Sequence, residues 1–274
     1  MKHCPTLALA VIGALALAPS TAAAWAPAGG ATIHPGVQTN TEGSGQCTSN
    51  FVYTNGSEVL LGQAAHCAGT GEASDTNGCE ADSLPLGTRV EIDGASRPGT
   101  IAYSSWLTMQ GNNESDANAC EYNDLALVKV DPADVSKLNP SVPGFGGPTA
   151  STATVGNATT VYSYGNSSLR GGVTTLSPKL GNVVNTTGGG WSHTVYTVTP
   201  GVPGDSGSGF FDAQGRAFGT LSTLGIAPLP ASNGVSNLTK ELAYARANGL
   251  GGLTLVNGTL AFSPNIVGAI IGAS

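Results

Sequence analysis

A serine hydroxyl becomes a useful nucleophile only when a neighbouring base takes its proton. The sequence holds one serine and one histidine in settings suited to that exchange. Ser206 lies in Gly204-Asp205-Ser206-Gly207-Ser208-Gly209. The flanking glycines let backbone N–H groups crowd around a reacting carbonyl with little steric hindrance. His66 sits in Ala64-Ala65-His66-Cys67, directly after the apolar run Val59-Leu60-Leu61, with a cysteine beside it that can tether the turn. A rigid strand end is a good place for a base. Asp124, in Asn123-Asp124-Leu125-Ala126-Leu127-Val128, opens an apolar run. A carboxylate at the edge of a core wants a partner and can fix the tautomer of an imidazole. Singly, each piece has a plainer reading as a turn serine, a structural histidine and a turn aspartate. Of the other histidines, His3 falls in the N-terminal leader, His34 reads as structural and His193 as an exposed strand residue.

For these side chains to meet, rigid elements must carry them to one place. Short apolar, β-branched or aromatic runs recur at Phe51-Val52-Tyr53, Val59-Leu60-Leu61, Ile101-Ala102-Tyr103, Leu125 to Val130, Thr160 to Tyr164, Thr194 to Val198 and Phe218 to Leu221. They predict strands. Asn55-Gly56 marks a hairpin turn between the first two, and Asn257-Gly258, between Leu253-Thr254-Leu255 and Leu260-Ala261-Phe262, predicts a C-terminal hairpin. Many turn-punctuated strands define an all-β chain built as sandwiches or barrels. Lys137 to Pro148 contains three prolines and three glycines and predicts the connection between two β units, 25–136 and 149–274. A helix is predicted over 236–248, where Ser236 caps, Leu238, Leu242 and Ala245 share a face, and Asn248-Gly249 stops it.

Composition bounds the rest. Only 10% of the 274 residues are charged, while 40 are glycine and 16 proline, which excludes a coiled coil or helical bundle. A net charge of −7 opposes binding to nucleic acid or to an anionic membrane surface. Lys2, the apolar stretch Leu7 to Ala18 and the small residues up to Ala24 read as a secretory signal over 1–24, cut before Trp25. No later run reaches the roughly 18 apolar residues of a membrane helix, so an exported protein with no membrane span is expected. Cys4 leaves with the signal, and Cys47, Cys67, Cys79 and Cys120 remain. An even number in an oxidising compartment predicts two disulfides. Three pairings are open, of which Cys47 with Cys67 and Cys79 with Cys120 closes the shortest loops. No C-x-x-C or H-E-x-x-H occurs, and no metal or cofactor is implied.

The segments AAHC around His66, NDLALVKV from Asn123 and GDSGSG from Gly204 resemble the three catalytic motifs of the chymotrypsin-like (trypsin-like) serine peptidases, in that family's order. The resemblance extends from about Gln46 to Asn248. It implies two perpendicular six-stranded antiparallel β-barrels, the first carrying His66 and Asp124, the second Ser206 and a C-terminal helix, with the active site in the cleft between them. It further implies a secreted, monomeric serine endopeptidase acting on protein or peptide substrates through an acyl-enzyme. His66 would be the base, Asp124 its orienting acid, and the N–H groups of Gly204 and Ser206 the oxyanion hole. Cys47 resembles the family cysteine that pairs with the one after the histidine. Ser222 resembles a family serine that contacts the catalytic aspartate and lines the substrate channel. Six residues before Ser206 stands Pro200, where members specific for Lys or Arg place an acid, so a basic preference is disfavoured. Leu221, Leu224 and Ile226 suggest an apolar or small-residue preference. No clear Ile-Val-Gly-Gly start exists whose freed amine could pair with Asp205, as in animal zymogens; Ile33-His34-Pro35-Gly36 is its faint echo. Rival templates fail on order: no histidine follows Ser206, as an α/β-hydrolase requires, and no aspartate precedes His66, as a subtilisin requires. The alternative is a catalytically silent secreted binding protein on the same fold.

Overall fold

A computed structural model describes residues 1, 24–72, 75–225 and 230–272. The expected signal lies outside the described residues except for Met1 and Ala24, as does Ile226. The first sheet is built from β1 (Gln38–Thr41), β2 (Gln46–Thr48), β3 (Val52–Asn55), β4 (Glu58–Ala64), β5 (Arg89–Ile92), β6 (Gly99–Ser104) and β7 (Leu125–Lys129). In space these run β3-β4-β7-β6-β5-β1-β2, all antiparallel, and curl into a half-barrel. The second sheet takes β8 (Ala150–Ser151), β9 (Thr160–Tyr164), β10 (Pro178–Thr187), β11 (Ser192–Thr197), β12 (Gly209–Asp212), β13 (Arg216–Gly225) and β14 (Ser232–Asn237). Here β12-β9-β10-β11-β14-β13 closes through pairing of β12 with β13, giving a six-stranded barrel, and β8 adds to β13 in parallel. The chymotrypsin-like double barrel is thus present, one half closed by a ladder and the other open.

Successive side chains of a strand point to opposite faces, and β4 and β7 are buried on both, from Val59 to Ala64 and from Leu125 to Val128, and are mostly apolar there. Leu61 and Val128 fill the first half-barrel with Val52, Val90 and Ile101. Their neighbours Leu60 and Leu127 point the other way, into a core shared with Phe211 and Tyr162 of the second barrel. That barrel has its own filling of Val161, Val183, Val195, Phe210, Phe218 and Val235. The segment 137–148 runs between the two sheets and buries Leu138, Val142 and Phe145.

Helices depart from the sequence reading. The predicted helix runs Leu238–Ala247, and its cap is Asn237, whose side chain accepts the N–H groups of Thr239 and Lys240, instead of Ser236, which belongs to β14. Three short helices were not anticipated: Ser105–Asn112, capped by Ser104; Ala117–Tyr122, capped by Asp116; and Ile266–Gly272. In chain order they make α1, α2 and α4 around α3 (Leu238–Ala247). The C-terminal hairpin does not form. Instead β15 (Thr254–Leu255) crosses back and pairs with β3, Leu255 opposite Tyr53. The free edge of β3 offers a ladder, while Phe262 packs on Tyr162 and Phe211. The second unit therefore contributes a strand to the first sheet. Among the described residues no helix is long and apolar enough to cross a membrane.

Candidate active site

The ladder between β4 and β7 ends at Ala64 opposite Leu125, so the residues just beyond it are neighbours. The chain leaves β4 into a tight turn, Ala65–Ala68, whose first N–H donates to the carbonyl of Asp124 at 3.0 Å. This brings His66 to Asp124. The peptide N–H of His66 donates to Asp124 Oδ1 (2.8 Å), and His66 Nδ1 lies 2.7 Å from Oδ2. Ser222, on β13, donates its hydroxyl to the same Oδ2 at 2.6 Å. The Asp124 side chain is 5% exposed and that of His66 28%. Burial disfavours the imidazolium, but the charge of Asp124 and its hydrogen bond outweigh that penalty, and the His66 pKa is raised from its ordinary value.

Two disulfides form, Cys47–Cys67 and Cys79–Cys120. The first joins β2 to the His66 turn. The same strand grips the Ser206 loop: Thr48 N–H donates to the Ser206 carbonyl (2.8 Å), and Thr48 Oγ1 and Gln46 Nε2 donate to the Gly204 carbonyl at 2.8 and 2.9 Å. So close an approach requires glycine. At Gly207, φ is +89°, and a Cβ would lie 2.5 Å from the Thr48 carbonyl oxygen. Within the loop, Asp205, Gly207 and Ser208 donate their N–H groups to carbonyls, whereas those of Gly204 and Ser206 have no protein acceptor among the described residues.

Asp205 is buried and turned away from the cleft walls. Its carboxylate accepts Arg170, Lys179 Nζ (3.0 Å) and the N–H groups of Ser167 (3.1 Å) and Val202 (3.2 Å). Burial lowers the Lys179 pKa to about 8 against the pull of Asp205, with Arg170 adding to the fall. Neither cation was singled out from sequence, and a lysine and an arginine in ordinary strand and turn contexts give no local signal. His193 is not an exposed strand residue. It is 2% exposed, edge-on to Phe218, with Nδ1 2.9 Å from Thr186 Oγ1, and burial lowers its pKa to about 4. An apolar barrel interior claims the side of β11 on which it falls. His34 hydrogen-bonds the neighbouring Pro35 carbonyl through Nδ1 at 2.9 Å.

His66, Asp124, Gly204, Ser206 and Ser222 line one cleft of about 530 Å³ between the two sheets, with Thr223 and Leu224 on its wall.

A half-barrel and a closed barrel that meet along such a cleft are the architecture of the chymotrypsin-like serine proteases. Residues 47–219 match the trypsin-like peptidase domain, and the chain belongs to that family of serine-type endopeptidases. No curated protein sequence matches it. Among solved structures it is similar to Thermobifida fusca Protease A, with 18% identity, 82% of this chain and 99% of that chain covered and a TM-score of 0.53. A glutamic acid specific serine protease with a histidine triad in substrate binding is similar at 17% identity, 82% and 100% coverage and a TM-score of 0.52. These likenesses concern the fold.

Proposed function

We propose that this chain hydrolyses peptide bonds through Ser206, His66 and Asp124 by way of an acyl-enzyme. The observation that carries the reading is the imidazole of His66, held at Nδ1 by a buried carboxylate in the same cleft as Ser206. Nδ1 keeps its proton toward Asp124, which leaves Nε2 free to accept the Ser206 proton as Oγ attacks a carbonyl. The same nitrogen then protonates the departing amine, and water repeats the sequence to release the acyl group. The unpaired N–H groups of Gly204 and Ser206 are the donors for the tetrahedral oxyanion, each worth about 3 kcal/mol in such sites. Ser222 supports Asp124 through its hydroxyl.

Specificity follows from the wall beside Ser206. Leu224 stands on that wall with Thr223 and Ser222. An apolar Leu224 on the wall favours an apolar or small uncharged side chain on the residue before the cut. Lys179 and Arg170 both donate to the Pro200 carbonyl, which further disfavours a basic residue there. A glutamate preference finds no support, since His66 is the one histidine on the cleft among the described residues. Activation needs no freed N-terminal amine. Asp205 already has two buried cations, and Ile33 is buried with its N–H donated to Lys137. Export, with signal removal as the maturation step, fits the two disulfides.

Labelling with a fluorophosphonate probe, beside Ser206→Ala, tests the mechanism. Modification of wild type alone, mapped to Ser206, is the expected result; an unlabelled wild type with its mature N-terminus verified refutes it.

A further inference from the structure

One acid at the junction of the two barrels has no part in that scheme. Glu241 lies on the face of α3 that buries Leu238, Leu242 and Ala245, and it is 0% exposed. Its Oε1 accepts the peptide N–H of Asp124 at 3.0 Å, and its Oε2 lies 3.3 Å from Thr220 Oγ1 on β13. Thr220 Oγ1 also receives Asn50 Nδ2 at 3.5 Å, and Asn50 Oδ1 accepts the hydroxyl of Tyr53 at 3.0 Å. The peptide of Asp124 is thus gripped at both ends: its N–H by Glu241 and its carbonyl by the N–H of Ala65 in the His66 turn. No cation pairs with Glu241 among the described residues.

A lone carboxylate in such a place would be costly, since a buried charge needs a counter-charge. The ionisable groups coupled to it are Asp124 before β7, Tyr53 on β3 and Tyr103 on β6; Arg246, on α3 itself, acts on Tyr53. Burial, and next the charge of Asp124, push the Glu241 pKa up to about 8, against the hydrogen bonds from Asp124 N–H and Thr220. With a pKa near 8 the acid is largely protonated at neutral pH, with Oε1 accepting Asp124 N–H and Oε2 against the Thr220 hydroxyl. Above about pH 8 a second negative charge arises beside the carboxylate that holds His66.

We propose that Glu241 is a positioning residue for hydrolysis: from the C-terminal helix it pins the peptide of Asp124 and, through it, the carboxylate that orients His66. This rests on the reading of Ser206, His66 and Asp124 given above. Small errors of placement are expensive in such sites, and about 1 Å can cost 100-fold. Glu241→Gln matches the protonated acid, its amide oxygen facing Asp124 N–H and its NH2 facing Thr220; Glu241→Leu removes both bonds.

The experiment measures kcat and KM of wild type and both variants from pH 6 to pH 10, with thermal unfolding and the low-field proton resonance of His66 Nδ1–H. Glu241→Leu is expected to lose kcat by roughly 10- to 100-fold with KM within about twofold, and to move the His66 resonance. Glu241→Gln is expected to keep most of kcat at pH 7 and to lack the decline expected of wild type above about pH 8. A folded Leu variant with full kcat overturns the proposal, as does an unmoved His66 resonance or a Gln variant as impaired as Leu. If the Leu variant does not fold, the Gln variant's alkaline limb decides by itself. A wild type that fails to label at Ser206 overturns the site reading and this role together, whereas a labelled wild type with an indifferent Glu241 overturns this role alone.

Discussion

Replacing Asp124 by asparagine removes one charge and leaves the packing almost untouched, so its effect can be worked out atom by atom. Oδ1 accepts the peptide N–H of His66, a donor that cannot turn round. The new amide must therefore put its oxygen at the Oδ1 position and its NH2 at the Oδ2 position, facing His66 Nδ1 and Ser222 Oγ. Nδ1 then becomes an acceptor, the proton moves to Nε2, and Ser206 loses its base. Reaching the productive tautomer requires flipping the amide, which strands the His66 N–H and costs about 1–3 kcal/mol. The imidazolium also loses a neighbouring charge worth about 4 kcal/mol at 4 Å and an effective dielectric constant of 20. Together these correspond to a fall in kcat of about 10⁴, the scale known for the equivalent change in the best-studied peptidase of this fold. The pH profile supplies an independent sign. In wild type the raised His66 pKa sets an acid limb on which activity climbs as pH rises through it. In Asp124→Asn, burial acts unopposed, and the limb moves to lower pH. Steady-state kinetics on a peptide amide from pH 4 to pH 9 give both numbers. A loss below tenfold, or an acid limb displaced upward, refutes the reasoning.

Other perturbations test the supports of the site. Asp205→Asn leaves Arg170 and Lys179 buried without a counter-charge; breaking such a contact costs about 3–5 kcal/mol, read as a fall in Tm of about 10 °C with loss of fluorophosphonate labelling. An unchanged Tm would contradict it. Asp134 is buried and accepts Ser96, Arg97 and Lys137, and although burial alone works the other way, these donors hold its pKa well below 3.8. Its stabilisation is complete above pH 3.8 and is lost as pH falls toward the folded value. Urea unfolding should show Asp134→Asn weaker by about 3 kcal/mol at pH 7, with the gap to wild type narrowing below pH 4. Loss of Cys47–Cys67 should cost about 3 kcal/mol and loss of Cys79–Cys120 about 4, by loop length. Activity in stabilising buffer should nonetheless suffer more from the first, because only Cys47–Cys67 joins the His66 turn to the strand that grips Ser206; equal losses would argue against that coupling.

What the sequence revealed and what it hid divide along a physical line. His66, Asp124 and Ser206 stand in local strings whose residue order is informative, and the short apolar and β-branched runs located β7 and β9 within a residue and the first half of β4. Helices α1 and α2 escaped because they are short and depend on the caps Ser104 and Asp116 more than on an apolar face. The hairpin at Asn257-Gly258 failed because a turn signal says nothing about which distant edge competes for the strand, and β3 wins. Arg170 and Lys179 became visible only when tertiary packing placed them on Asp205. Glu241 was legible in principle. It falls three residues after Leu238 and one before Leu242, on the buried stripe of an otherwise ordinary amphipathic helix, and an acid in that position is a sign of a specific partner.

The return of the chain to its first sheet carries a consequence for biosynthesis. β3 is made early, yet its edge is covered only by Thr254–Leu255, with Val256 N–H donating to the Val52 carbonyl at 2.9 Å. Asn139 and Ser141 likewise await Thr259. A ribosome-bound chain that ends before residue 254 therefore exposes an open strand edge, a feature that invites pairing with other chains. The first half-barrel gains its last strand only after every strand of the second has been synthesised.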